Sequence, residues 1–329
     1  MIRARLLRLG AEDNVLLIVL HHIIADGWSI GVLFEEISKH YAAFVNDRQA
    51  SFPEPGPQFS DVARWERWWC TTAAAARQLA YWAEHLRGAA PVFCSDGKPE
   101  GPRPDPRRAH EPVHLSEDLI GRLSNYGRIY GATLFMTLLA GLKAVLVIRT
   151  GRTDICVATA TANRSQPGTD RVIGLFQNTT IVRTSIDPNL PFPEALRRVR
   201  NAILEAHARQ EIPFDILAEH LSKQGLDPAS LVQIYFTLQN PLRQPLELCD
   251  IATQGFGQIY REGQPVMPIN DSWVSLMLKE RPSSITGSCI YNPNLLKRRT
   301  VTHWMDDFSE ILRNGVANPE APLRRLLDC

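Results

Sequence analysis

The apolar positions of the chain change period along its length, and each change predicts an element. Residues 14–20 (Asn-Val-Leu-Leu-Ile-Val-Leu) form a continuous apolar run with β-branched members. Such a run predicts a central strand covered on both faces. From Ser29 the spacing becomes three and four, at Ile30, Leu33, Phe34, Ile37, Tyr41 and Phe44. That period predicts an amphipathic helix, with Ser29 as its N-cap. Between the two patterns lies His21-His22-Ile23-Ile24-Ala25-Asp26-Gly27-Trp28. Titratable groups therefore stand at a strand-to-helix junction, with the first-turn amides of the helix directed back toward them.

Beyond residue 50 the pattern is punctuated by proline. Residues 51–57 read as a connection, and 59–86 as one or two helices carrying Trp65, Trp68, Trp69, Tyr81 and Trp82. The stretch 88–112 holds Pro91, Pro99, Pro102, Pro104, Pro106 and Pro112, with Gly97 and Gly101 and no sustained period. It reads as a linker and sets a boundary between residues 1–112 and 113–329. Helices are expected at 116–129 and 133–149, then a strand at 155–161, a loop at 163–170 and a strand at 178–186. Helices at 192–209 and 213–221 follow, strands at 232–238, 272–278 and 284–291, and a closing helix at 295–314 with Trp304, Phe308 and Ile311 on one face. Helices and strands alternate in both halves, which predicts an α/β fold. No repeat at solenoid periods is visible.

Composition narrows the classes. A chain of 329 residues is long enough for two lobes, each with its own core. With 36 basic and 35 acidic residues, nothing points to a nucleic-acid partner. Cys70, Cys94, Cys156, Cys249, Cys289 and Cys329 show no CxxC pairing. Their scatter argues against zinc and against a disulfide framework, and fits a reducing, cytoplasmic setting. Residues 134–148 are the most membrane-like, but the run contains Lys143 and falls short of the roughly 18 apolar residues of a span, so a buried helix is expected. The basic start, Met1 to Arg5, is not followed by a signal-type apolar core.

The junction at 21–28 is the candidate for chemistry. Adjacent residues of an extended segment point to opposite faces, so His21 and His22 are poorly placed to ligate one metal ion, and no metal site is expected. The chain lacks GxSxG, a phosphate-binding GxxxxGK[ST] and a GxGxxG opening a helix. What remains is one histidine as a general base or hydrogen-bond partner, with the other buried as support. Asp26 is expected to turn toward a basic partner. Gly27 admits a φ that other residues avoid and a close approach of its amide to a ligand. The plain alternative is two histidines that end a strand for packing alone.

His21-His22-Ile23-Ile24-Ala25-Asp26-Gly27 matches the HHxxxDG signature of condensation domains of nonribosomal peptide synthetases, members of the chloramphenicol acetyltransferase-like superfamily. Further segments resemble the family in the same order: Phe59 to Trp65, Tyr81-Trp82, Ile173 to Thr179, Ile212 to Asp215, and Tyr235 to Asn240. Departures include Gln177 within the IGxFVNT-like segment and Arg209-Gln210-Glu211-Ile212 before Pro213. The family's two earliest motifs have no counterpart before His21.

The resemblance implies two chloramphenicol acetyltransferase-like lobes in a V-shaped pseudo-dimer, the amino-terminal one incomplete. Residues 1–112 would be the donor-side lobe and 113–329 the acceptor-side lobe. It implies amide bond formation between a carrier-bound acyl or peptidyl thioester and the amine of a carrier-bound aminoacyl thioester. His22 would be catalytic, as a base or as a positioning group. His21, Asp26, Gly27 and Arg164 would be structural, with Arg164 pairing with Asp26 and the Gly27 amide available to an oxyanion. Trp28, Ser29 and Asn240 would contact substrate, and Trp28-Ser29 resembles the subtype taking an L-configured donor. No cofactor is expected to be bound intrinsically; substrates would arrive on 4′-phosphopantetheine arms. The implied partners are upstream and downstream peptidyl carrier domains and an adenylation domain, with no nucleic acid and no membrane. Two other readings stay open: a related acyltransferase using a free amine or alcohol, and a catalytically silent condensation-like docking module.

Overall fold

Ile2, Ala4 and Leu6 alternate with Arg3 and Arg5, a strand pattern that pairs with the apolar run at 14–20. In the computed structural model these segments form a two-stranded antiparallel ribbon, β1 (Ile2–Arg8) and β2 (Asn14–Leu20), with Leu6 opposite Leu16 and Leu7 opposite Val15. The structure describes residues 1–52, 56–93, 108–239, 245–255, 272–281 and 283–327. The expectation of a strand covered on both faces is corrected here. Among the described residues β2 pairs with β1 alone; its Val19 is 52% exposed, and Leu6 on β1 is 70% exposed.

The chain divides into two compact units, one of residues Met1–Ala74, Ala162–Asn178 and Leu242–Gly257, the other of Ala75–Thr161, Thr179–Pro241 and Gln258–Cys329. The first unit holds the ribbon, a 3-10 turn at His22–Ile24, and helices α1 (Gly27–Val45) and α2 (Phe59–Trp69). Helix α1 starts earlier than the periodicity indicates, because Asp26, not Ser29, is its N-cap. Helix α2 is closed by a capping box in which the Gln58 amide donates to the Asp61 carboxylate at 2.9 Å. The 162–178 segment packs on α1, where Arg171 pairs with Glu35 at 3.2 Å.

The second unit carries α3 (Ala73–Leu86), β3 (Ala109–Ser116), α4 (Glu117–Ile129), α5 (Leu134–Thr150), β4 (Asp154–Thr161), β5 (Asn178–Ser185), α6 (Phe192–His207), α7 (Phe214–Lys223), α8 (Pro228–Leu231), β6 (Ile234–Gln239), β7 (Val274–Arg281), β8 (Ser284–Tyr291) and α9 (Arg298–Ala317). Among the described residues its sheet has six strands in the order β3-β8-β7-β6-β4-β5. Here β6 runs parallel to β4 and β7, whereas β8 and β3 close one edge antiparallel. The end of the proline-rich stretch is therefore strand rather than linker. Pro112 is tolerated in β3 because that strand is at the sheet edge, where a missing donor need break no ladder bond.

Helix α5 is apolar all round and lies in the core, so the run at 134–148 is an interior helix, as expected. Among the described residues no single helix is long and apolar enough to cross a membrane. Phe192, Phe236, Phe308 and Trp304 fill the same core. Gly151 ends α5 with φ of 69°, a left-handed cap that glycine adopts without strain. Lys143 of α5 is wholly buried and donates to the carbonyls of Ile155 and Val182, both at 2.8 Å.

Candidate functional site

The turn between β2 and α1 is fixed from both ends. At its start His21 caps the 3-10 turn, its Nδ1 accepting from the Ile23 amide at 3.1 Å. In the neutral imidazole this places the ring proton of His21 on Nε2. His22 opens the 3-10 turn itself, so strand alternation does not govern the His21–His22 pair. Both histidines are exposed, which corrects the expectation that one is buried as support. Among the described residues nothing hydrogen-bonds to the His22 imidazole, which leaves both ring nitrogens available.

Four residues later the environment reverses. Asp26 is 4% exposed and its carboxylate is saturated. Oδ1 accepts from the Ser29 amide and hydroxyl, both at 2.8 Å, and from Arg164 Nη2 at 3.0 Å. Oδ2 accepts from the Phe176 amide at 3.1 Å and from Arg164 Nη2 at 3.2 Å. One carboxylate thus caps α1, complements its positive end, and ties it to the 162–178 segment. Arg164 folds that segment around its guanidinium, with Nη1 donating to the carbonyls of Thr169 at 2.6 Å and Val172 at 2.7 Å. Its charge lies 3.9 Å from the Phe176 ring centroid and 5.7 Å from that of Trp28. Burial lowers the Arg164 pKa, against the opposing pull of Asp26.

Ser29, expected among substrate contacts, is wholly buried. Its hydroxyl accepts from the Gly174 amide at 3.0 Å and from Arg164 Nη2 at 3.0 Å, and lies 2.8 Å from the Gly174 carbonyl. Trp28, half-buried, donates its indole N–H to the Asp170 carbonyl at 2.8 Å. Gly174 permits this seam: a Cβ there would stand 2.2 Å from the Phe59 ring. Phe59 in turn meets Phe176 edge to face, with centroids 5.3 Å apart. Gly174, Phe176 and Phe59 were absent from the expected site residues. The one signal that could have found them is that they lie within segments resembling the family.

Gly27 does not adopt a left-handed φ, so backbone strain is not the reason for glycine there. A Cβ at this position would meet nothing within 4 Å, and the residue is exposed. Its amide, in the first turn of α1, has no hydrogen-bond acceptor among the described residues. Asn240 lies outside the described residues. The turn carries an exposed imidazole at His22 and, five residues on, the first-turn amide of Gly27 at the start of α1.

The comparisons with known proteins identify the family of the chain. The condensation-domain family model matches residues 1–327. A linear gramicidin synthase of Brevibacillus parabrevis is 34% identical over 331 residues, covering 99% of this chain and 6% of that protein. This chain therefore spans a small part of such relatives. Among solved structures, the first condensation domain of the CDA synthetase superposes with a TM-score of 0.72 at 18% identity, covering 98% of this chain and 68% of that one. The SgcC5 protein of Streptomyces globisporus, solved with a naphthyl-1,2-ethanediol and sucrose, gives a TM-score of 0.76 at 26% identity, over 98% of this chain and 73% of that one. With a family match along almost its whole length and a mixed α/β fold shared with solved members, the chain belongs to the condensation-domain family.

Proposed function

We propose that this chain forms an amide bond between a carrier-bound acyl or peptidyl thioester and the amine of a carrier-bound aminoacyl thioester. The observation that carries the reading is an exposed His22 on a turn locked by Asp26 and Arg164, in a chain that matches the condensation-domain model over residues 1–327. The amine nitrogen attacks the thioester carbonyl carbon, the C–N bond forms and the C–S bond breaks. His22 takes the proton lost by the attacking nitrogen, or holds that nitrogen in line, and the departing thiolate is protonated. Amine attack on a thioester is intrinsically favourable, so positioning is a large part of what the site supplies. In this reading the Gly27 amide donates to the tetrahedral oxyanion. His21, Asp26 and Arg164 hold the turn, Trp28 and Ser29 shape its flank, and Asn240 contacts substrate.

The same reading assigns two chloramphenicol acetyltransferase-like lobes, residues 1–112 on the donor side and 113–329 on the acceptor side. The amino-terminal lobe is incomplete in this reading, and the apolar side chains left open on the β1–β2 ribbon support that. Upstream and downstream peptidyl carrier domains deliver the substrates on 4′-phosphopantetheine arms, with an adenylation domain in the same assembly line. A second reading, transfer to a free alcohol, is favoured by the diol present with the SgcC5 protein.

The test is to mix the chain with a donor-loaded and an acceptor-loaded carrier and follow intact masses. Transfer of the donor acyl group onto the acceptor arm is expected. A folded chain that gives no product overturns the reading in favour of a silent docking module. Product with a free alcohol but not with the acceptor-loaded carrier selects the second reading.

A further inference from the structure

The β1–β2 ribbon has two edges of opposite character. His21 donates its amide to the Met1 carbonyl at 2.9 Å, and the register pairs Val19 with Arg3, Leu17 with Arg5 and Val15 with Leu7. Antiparallel alternation then turns the amides and carbonyls of Val15, Leu17 and Val19 toward β1, and those of Asn14, Leu16, Ile18 and Leu20 away from it. Among the described residues no main-chain group bonds to that outer row. β2 carries no charged side chain, whereas β1 carries Arg3, Arg5 and Arg8. Charged side chains keep a free edge from pairing with another strand, so β1 is a guarded edge and β2 an open one. Leu17 is 47% exposed and Leu16 40%, so solvent reaches the open edge.

We propose that β2 is a docking edge for the β2 strand of a second copy of this chain, paired antiparallel about a two-fold axis at Leu17. The outward row fixes the register. With Leu17 opposite Leu17, Leu16 faces Ile18 and Asn14 faces Leu20 of the second copy, so all four outward residues of each strand fall at hydrogen-bonded positions. Val15 then faces Val19, and every side-chain pair except the terminal Asn14–Leu20 is aliphatic. The charges select this edge over the other. Pairing β1 with β1 sets arginines across from arginines. Pairing β2 with β2 leaves the β1 strands three strand spacings apart, about 14 Å, beyond the screening length of about 8 Å at physiological salt. Both guarded edges then face outward, which closes the assembly at two copies. One step past the strand end, the same register brings Asp13 of each copy opposite His21 of the other, an acid against a base beside the candidate turn. The inference does not depend on the proposed function.

Sedimentation equilibrium of the whole chain tests this. The expected result is a mass that rises with concentration from one chain to two and no further. Leu16→Pro removes an outward amide that makes no bond to β1, so it should weaken association about tenfold or more with unchanged circular dichroism. Arg8→Gln, on the outer strand, should leave association intact. Leu17→Cys reads the register. At the two-fold, non-hydrogen-bonded position the Cα atoms stand about 4.5 Å apart, within disulfide reach. Oxidation with glutathione disulfide should therefore link two copies of that variant and not of the parent chain, whose own cysteines serve as the control. A single chain mass at every concentration overturns the proposal and leaves the edge to a strand of another protein. A dimer that is indifferent to Leu16→Pro and not captured through Leu17→Cys, or growth beyond two copies, overturns it as well.

Discussion

Arg164 and Lys143 are both buried cations, and the protein holds them in opposite ways. Arg164, its side chain 3% exposed, sits against the Asp26 carboxylate at 3.0 Å and keeps its charge at any pH the fold survives. Lys143, fully buried, among the described residues hydrogen-bonds only to the main-chain carbonyls of Ile155 and Val182, and burial brings its pKa down to about 7. Asp154 and the Cys156 thiol, whose own pKa burial raises to about 11, oppose that shift without cancelling it. The difference is between a corner built for permanence beside the candidate chemistry and a core amine whose protonation follows the solvent. The first fixes the turn that carries His22; the second links stability of the second unit to pH.

The largest expected effect comes from breaking the permanent corner. Asp26→Ala removes the helix cap and leaves Arg164 buried without its partner, which should cost about 3–5 kcal/mol. Denaturant unfolding measures it, and a cost below about 1 kcal/mol, the level of an exposed ion pair, would show that the corner is not held by this charge pair.

The Lys143 contrast gives the next effect, with a definite sign. The folded-state pKa of about 7 lies below the ordinary lysine value of 10.5. Between the two, the unfolded chain binds a proton that the folded chain lacks, so stability rises with pH across that window, by at most about 1.4 kcal/mol per pH unit. The contribution is complete above the unfolded value and is lost as pH falls through the folded one. Lys143→Met should flatten the profile of unfolding free energy against pH between about 7 and 10. An unchanged slope in the variant would place the linkage elsewhere.

Smaller effects sharpen the boundary of the rigid corner. Ser29→Ala strips a buried hydroxyl from Asp26, Gly174 and Arg164 and should cost about 1–3 kcal/mol. His21→Ala removes the cap of the 3-10 turn and should cost about 0.5–2 kcal/mol. Amide hydrogen exchange at Ile23 reads the second change directly, because that amide donates to His21.

Much of the fold was legible because its elements carry clean periods. The helices of the second unit and the strands around residues 155–161, 178–186 and 284–291 fall close to where the pattern puts them. β1 was missed because its alternation is short, breaking where Leu7 follows Leu6, and β3 because Pro112 lies within a proline-rich stretch. The start of α1 was misplaced because both Asp26 and Ser29 are cap-forming types; in the fold the Asp26 carboxylate caps the helix and pairs with Arg164. The seam of Ser29 with Gly174 spans 145 residues of sequence, and no local pattern encodes a contact at that separation. Likewise the covering of β2 depends on what packs against it, which an apolar run alone does not specify.

The central claim is that rigidity and chemistry are divided within one turn, Asp26 holding it and His22 acting from it. Measuring thermal unfolding and carrier-to-carrier product formation on the same preparation of His22→Ala tests that division most directly. The account predicts a melting curve within about 0.5 kcal/mol of the parent chain, as for an exposed residue, together with a loss of rate of about 100-fold or more. Undiminished product from a normally folded His22→Ala chain would contradict it.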